Sequence, residues 1–235
     1  MSQPSQAISR IPRHVAVIMD GNGRWARERG WPRIQGHREG AKTVQRIIDG
    51  CIEVGVSFLT LYAFSVENWK RPKLEVSALM RLLIEFLQDR HDEMIQKNIR
   101  LQTIGRLVDL PPKTRAQVEK SIAATAHNTG LTLILALSYG SRTEILEAVN
   151  HLLASKRVTP VTEEEFSAQL YTANYPDPDL LIRTSGEMRL SNFLLWQMSY
   201  AEIYVTKKLW PDFSREDFLD AVHDFAHRER RYGAI

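Results

Sequence analysis

The sequence predicts an α/β fold: a single domain on a central six-stranded, mostly parallel β-sheet surrounded by helices. Three observations predict it. Short runs of apolar, β-branched and aromatic residues alternate with longer stretches of helical spacing along the chain. The short runs are unbroken rather than interleaved with polar residues, as in strands buried on both faces of a parallel sheet. No repeat, low-complexity tract or Pro/Gly-rich linker divides the 235 residues, a length that suits one domain of this class.

Residues 1–12 are expected to be a flexible lead-in, too polar for a signal peptide, and 13–235 one catalytic domain. Val15–Met19 reads as the first strand, followed by a glycine turn into a helix. Arg38–Val54 has helical spacing and stops before Gly55. Phe58–Phe64 is the second strand. Leu74–Gln96 reads as one long helix with apolar residues at 79, 82, 83, 86, 87, 94 and 95, a wide face that suits either core packing or the wall of a hydrocarbon cavity. Ile99–Ile104 is the third strand, and Pro111-Pro112 opens a polar helix to about Asn128. Leu131–Leu137 is the fourth strand, with a helix over Arg142–Ala154. Thr162, with Glu165 three residues on, caps a short helix to Tyr171. Leu180–Arg183 and Glu202–Thr206 complete the strands, and Ser214 caps a closing helix to Arg228.

The charge balance is nearly even, 31 Lys plus Arg against 28 Asp plus Glu, and basic residues run at most in pairs, so no nucleic-acid partner is expected. A diffuse positive balance suits an anionic small substrate or a membrane surface. The single cysteine, Cys51, excludes an intrachain disulfide and a Cys-based metal site and suits a cytoplasmic location. Apolar runs fall far short of the ~20 residues that span a bilayer. His223 and His227 stand four apart without a third ligand and read as a helix face.

In parallel sheets ligands bind beyond the carboxyl ends of the strands, so the chemistry is expected there. After strand one, Gly21 and Gly23 allow close backbone approach, the following helix start attracts anions, Arg24 adds charge, and Asp20 offers a carboxylate for Mg2+. After strand two, Ser65, Glu67, Asn68, Trp69 and Arg71 crowd a polar turn. After strand five, Arg183, Arg189 and Ser191 make a second anion site, since arginine forks match phosphate oxygens. Together these loops imply a site for two anionic groups and a divalent cation. A loose G-x-G-x-x-A match at Gly21, Gly23 and Ala26 leaves a dinucleotide-binding reading open, but its partner acid would fall inside a helix.

Longer motifs carry a resemblance: Asp20-Gly21-Asn22-Gly23-Arg24-Trp25-Ala26, Gly36-His37-x-x-Gly40, the run TLYAFSVENWKRP over 60–72, and Arg183–Trp196 with Tyr200-Ala201-Glu202-x-Tyr204. They resemble the cis-prenyltransferases, above all the bacterial undecaprenyl diphosphate synthases, over about Ile11 to Gly233. The resemblance implies a Mg2+-dependent homodimer with a hydrophobic tunnel. Such an enzyme adds isopentenyl diphosphate repeatedly to farnesyl diphosphate, giving a long-chain lipid carrier for the cell wall, with peripheral membrane contact for product release.

Position by position, it implies Asp20 and Asn68 as catalytic residues, and Asp20 and Glu202 as metal ligands. Gly21, Asn22, Gly23 and Arg24, with Arg33 and His37, would cradle the allylic diphosphate, and Trp25 would pack near the prenyl chain. Ser65, Val66, Glu67, Trp69 and Arg71 would line the reacting centre, and Arg183, Arg189, Leu190 and Ser191 would hold isopentenyl diphosphate. The small Ala63 favours a long product. Arg231-Tyr232-Gly233 would reach the partner subunit's site. Ser138 and Ser141 depart from the family's Asn-Tyr-Gly-Gly-Arg pattern, and Met188 stands where some members carry histidine. The alternatives are a shorter-chain synthase or a non-catalytic subunit.

Overall fold

Every neighbouring strand pair in the sheet is parallel, in the order β3-β4-β2-β1-β5-β6. The computed structural model describes residues 10–155 and 159–228; the expected roles of residues 1–9 and of Arg231-Tyr232-Gly233 lie outside them. The strands are β1 His14–Ile18, β2 Phe58–Ser65, β3 Arg100–Ile104, β4 Thr132–Tyr139, β5 Leu180–Arg183 and β6 Glu202–Val205. The helices are α1 Asn22–Glu28, α2 Arg33–Val54, α3 Lys73–Asp89, α4 His91–Gln96, α5 Pro112–Ala124, α6 Ser141–Ala154, α7 Glu163–Ser167 and α8 Arg215–His227. Short 3-10 turns cover Val66–Lys70, Leu107–Asp109 and Trp210–Asp212.

The unbroken apolar runs are explained by burial on both faces. Val15 and Val17 of β1, Leu59 and Leu61 of β2, and Leu133 and Leu135 of β4 join one core with residues of α2, α3 and α8. Ala16, Ile18, Ile134, Ala136 and Leu181 face the opposite core with Tyr139, Phe193 and Met198. Thr162 and Ser214 form capping boxes with Glu165 and Asp217, so both caps are as expected.

Four helices differ from expectation: α5 stops at Ala124 rather than about Asn128 and α7 at Ser167 rather than Tyr171, and two others differ more. The stretch Leu74–Gln96 breaks at Arg90 into α3 and α4, because 88–93 is polar and offers nothing to hold a continued helix to the core. Helix α2 begins at Arg33 rather than Arg38, with Pro32 as its N-cap. Gly36 and Gly40 stay inside it because they face α1: a Cβ on Gly36 would stand 1.9 Å from the Asn22 carbonyl oxygen, and one on Gly40 2.2 Å from Asn22 Oδ1. Only glycine lets the two helices approach so closely, which fixes the chain just after β1. Arg10 lies over the Phe225 ring and Pro12 is buried, so the end of the lead-in packs on the body.

The chain leaves β1 toward β2 on one side and later returns to β5 on the other. The reversal opens a crevice at the carboxyl end of β1.

Candidate active site

A cavity of about 630 Å³ opens at that crevice. Its mouth carries Asp20, His37, Asn68, Arg71, Arg183 and Arg189, with Asn22, Ser65, Glu67 and Ser191 also on its wall. Its depth is apolar. Val44 of α2, Leu61, Leu135 and Leu137 of the sheet, and Leu79, Leu82, Leu83 and Phe86 of α3 form the walls. The wide face of α3 is therefore a cavity wall: within that helix only Met80 and Leu87 are fully buried. A charged mouth above an apolar shaft fits an amphiphile with an anionic head and a hydrocarbon tail.

Asp20 is locked by its backbone. Its carbonyl oxygen accepts from Thr184 Oγ1 at 2.6 Å and from the Trp210 N–H at 3.0 Å. The turn into α1 uses Gly21 at φ 108°, where a Cβ would also meet the Leu209 backbone at 3.0 Å, so glycine is required twice over. The Asp20 carboxylate accepts from Arg183 Nη2 at 2.8 Å. Arg183 is 3% exposed, and its Nη1 also donates to Ser191 Oγ at 2.9 Å and to the Arg189 carbonyl oxygen. Its Nε is buried without a protein partner, as is Nε2 of His37. Buried polar atoms without partners at a cavity mouth are what a polar ligand head would satisfy. Burial, then the nearby Arg71 and Arg33 guanidinium groups, push His37 down to about 4, so it is neutral at physiological pH.

The turn after β2 is closed by Ser65 and Asn68: the Asn68 Oδ1 accepts from the Ser65 N–H at 3.2 Å. That leaves the Asn68 NH2 for substrate. The strand pair β2–β4 is irregular between Tyr62 and Ser65, and Ala63, outside the regular register, lines the cavity. The loop after β5 is strained, with Ser185, Ser191, Asn192 and Leu194 at positive φ. Arg24 ties into it, donating to Ser185 and to Glu187, which also takes Arg189.

Several expected residues take other positions. Trp25 is buried away from the cavity, its Nε1 donating to Asp212 Oδ1 at 2.6 Å with Arg29 over its ring. Trp69 packs edge-on against Phe64 and donates to Ser138 Oγ. Gly21, Gly23, Arg24, Arg33, Val66 and Leu190 do not line the cavity, and Leu190 packs against the second core. Glu202 departs furthest. It opens β6, level with Leu180 and Val15, at least ~10 Å along the strands from the Arg183 end of the sheet. There it pairs with Arg228 at 2.9 Å, so within one chain it does not reach Asp20.

Asp20 thus offers one hard oxygen donor beside cationic groups. That fits Mg2+, which takes one or two protein carboxylates and completes its shell with substrate phosphates and water.

Sequence reasoning missed Asn192. At φ 62°, it accepts from the Arg142 N–H at 2.8 Å, donates to Glu67 Oε1 at 2.9 Å, and its carbonyl oxygen takes the Ser141 N–H at 2.8 Å. It therefore joins the loops after β2, β4 and β5. An asparagine beside Ser191, tolerant of positive φ, was the available signal.

The family described as "Putative undecaprenyl diphosphate synthase" matches residues 18–233. An isoprenyl transferase of Heliobacterium mobile is 52% identical over 231 residues, covering 96% of this chain and 89% of the relative. One from Listeria monocytogenes is 52% identical over 230 residues, covering 96% and 91%. Among solved structures, lavandulyl diphosphate synthase from Lavandula x intermedia, in complex with dimethylallyl diphosphate, superposes with a TM-score of 0.92 at 37% identity, covering 97% of this chain and 100% of that one. A probable undecaprenyl diphosphate synthase from Campylobacter jejuni gives 0.81 at 37% identity, covering 95% and 99%.

Proposed function

Because the chain belongs to the undecaprenyl diphosphate synthase family and is a prenyltransferase, we propose that it condenses isopentenyl diphosphate repeatedly onto farnesyl diphosphate to give a long-chain polyprenyl diphosphate, a lipid carrier for the cell wall. The observation that carries this reading is the cavity itself: a rim of arginines and Asp20 above a shaft lined by α2, α3 and the sheet.

In this reading Asn22, Arg71 and His37, with Arg24 and Arg33 beside them, bind the allylic diphosphate. Arg183, Arg189 and Ser191 hold the diphosphate of isopentenyl diphosphate. The prenyl tail enters the shaft past Ala63. Mg2+, held by Asp20, supplies positive charge against the leaving diphosphate when bound. Arg71 and Arg33 are held by Glu75, and Arg24 by Ser185 and Glu187, so charge developing on the leaving allylic diphosphate meets preorganised cations. The new C–C bond joins C4 of isopentenyl diphosphate to the allylic carbon as the allylic C–O bond breaks, and C2 then loses a proton. Asn68 orients the substrate through its NH2, since its oxygen already accepts from Ser65, and a diphosphate oxygen takes the proton.

A homodimer belongs to the same reading. The exposed stripe Leu146, Val149 and Leu153 on α6 is an apolar face for a second copy to cover. Exposed Trp31 and Leu74, near in sequence to the paired Arg33 and Glu75, suit peripheral contact with a bilayer during product release. No helix among the described residues is long and apolar enough to cross a membrane.

The test is product analysis. Purified chain, farnesyl diphosphate, radiolabelled isopentenyl diphosphate and Mg2+ are expected to give C55 product on reverse-phase chromatography after dephosphorylation. Arrest after a few additions would favour the shorter-chain reading, which the likeness to lavandulyl diphosphate synthase keeps in view. No incorporation would reject the reading.

A further inference from the structure

We propose that Ser138 is a positioning residue for the rim loop that carries Ser65, Asn68 and Arg71, acting through Trp69 and held in turn by Asp109. The inference rests on the prenyl-transfer reading above. Ser138 lies near the end of β4, is fully buried and has φ 46°, a conformation that side chains other than glycine, asparagine and aspartate seldom adopt. It is also a bulge. Phe64 pairs with Leu137 and Ser65 with Tyr139, so Ser138 has no partner across the ladder. Bulges beside a site re-aim a side chain, and this one aims a hydroxyl.

That hydroxyl has two partners. It accepts from the Trp69 indole N–H at 2.8 Å and donates to Asp109 Oδ2 at 2.8 Å, which a single O–H can do at once. Asp109 is oriented by Arg106, whose Nε stands 3.0 and 3.3 Å from its two oxygens, and Arg106 also pairs with Glu147. The Arg106 N–H donates to the Ser138 carbonyl oxygen at 3.4 Å, so the same arginine holds Ser138 from both sides. An ionised acceptor strengthens the chain of bonds that ends on the indole.

Trp69 sits in the 3-10 turn directly beyond Asn68 and does not line the cavity. Its ring is held against Phe64, with centroids 4.7 Å apart. The indole is therefore a handle. One end of the loop is closed by the Ser65–Asn68 box and the other is tethered through Trp69 to Ser138, which fixes Asn68 between them. Arg71 follows, its N–H bonded to the Asn68 carbonyl oxygen at 3.1 Å.

The test compares the full chain with Ser138→Ala, Ser138→Gly, Ser138→Asn, Trp69→Phe and the double Ser138→Ala/Trp69→Phe variant. Losing one such hydrogen bond is expected to lower kcat/KM for prenyl transfer roughly tenfold in Ser138→Ala and in Trp69→Phe. The double variant should lose no more than either single, because both cut the same tether. Ser138→Gly relaxes the backbone and should unfold at equal or higher denaturant, yet show the same loss of activity. Ser138→Asn keeps an acceptor for the indole and a donor for Asp109 at a positive φ, and should recover most activity. In 15N-tryptophan-labelled protein the Trp69 indole signal, identified by its absence in Trp69→Phe, should move in Ser138→Ala and Ser138→Gly.

Wild-type kinetics in Ser138→Gly, or single losses that multiply in the double variant, would overturn the proposal. So would an unmoved indole signal. If the wild-type chain transfers no prenyl group, the functional reading fails by itself. The tether is then judged by the indole signal and by inorganic diphosphate binding, which Ser138→Ala should weaken through Arg71.

Discussion

Two buried histidines should make the fold acid-sensitive between pH 6.5 and 4. His14, 1% exposed, is pushed down to about 4 by burial; its Nδ1 donates to the Pro176 carbonyl oxygen at 2.6 Å, and its Nε2 is 2.7 Å from Thr60 Oγ1. With a carbonyl at Nδ1, the neutral ring accepts the Thr60 hydroxyl at Nε2, and a second proton would force that hydroxyl to turn from donor to acceptor. His37 is held at about 4 by burial and by Arg71 and Arg33. In the unfolded chain both return to 6.5. Between those values the folded chain binds fewer protons, so this stability is fully present above pH 6.5 and is lost as pH falls toward 4. Each histidine contributes roughly 3 kcal/mol, at about 1.4 kcal/mol per pH unit inside the window. Together that is comparable with the ~5–15 kcal/mol of a whole domain. Urea unfolding at half-unit steps from pH 7.5 to 4.5 would measure it. His14→Gln, which keeps a donor and an acceptor but cannot titrate there, should reduce the slope by about 1.4 kcal/mol per pH unit relative to wild type. Parallel curves for the two proteins would refute the reasoning. Inorganic diphosphate should flatten the wild-type slope further, because an anion beside His37 restores its proton; His14, at the opposite end of β1, should not respond.

Other outcomes follow from the same geometry. Asp20→Asn removes the carboxylate facing Arg183 and should cut prenyl transfer at least ~100-fold while lowering stability by only about 1–2 kcal/mol, since Asp20 is partly exposed; kinetics and urea unfolding read the two effects separately. Gly36→Ala drives a Cβ into the Asn22 carbonyl and should cost about 1–3 kcal/mol in a thermal melt, with activity falling as the Asp20 turn moves. Ala63→Leu narrows the shaft, and the product ladder on chromatography should shift to shorter chains without loss of the first addition.

Much of the fold was legible because burial on both faces of a parallel sheet leaves a plain signal. All six strands lie where the apolar runs stand, and the caps at Thr162 and Ser214 follow from local hydrogen bonding. The rim loops were legible too, since a cluster of arginines and a carboxylate after buried strands has few structural uses. Asp20, Asn68, Arg71, Arg183 and Arg189 meet at one mouth as expected. The break at Arg90 was hidden because helical periodicity tolerates one polar turn, and only packing decides whether the axis continues.

Tertiary structure alone decided how these pieces face one another. The pattern around Glu202 marks a carboxylate, but strand register puts it at the amino end of β6, level with Leu180. The turn after β2 names a tryptophan, but the direction of its side chain depends on a bulge in another strand and a hydroxyl 69 residues away. Gly36 and Gly40 have meaning only once α1 lies against them. Composition and periodicity record what each segment must bury; which residues then meet is set by register, close approach and bulges, which are properties of pairs of segments and are written in neither segment by itself.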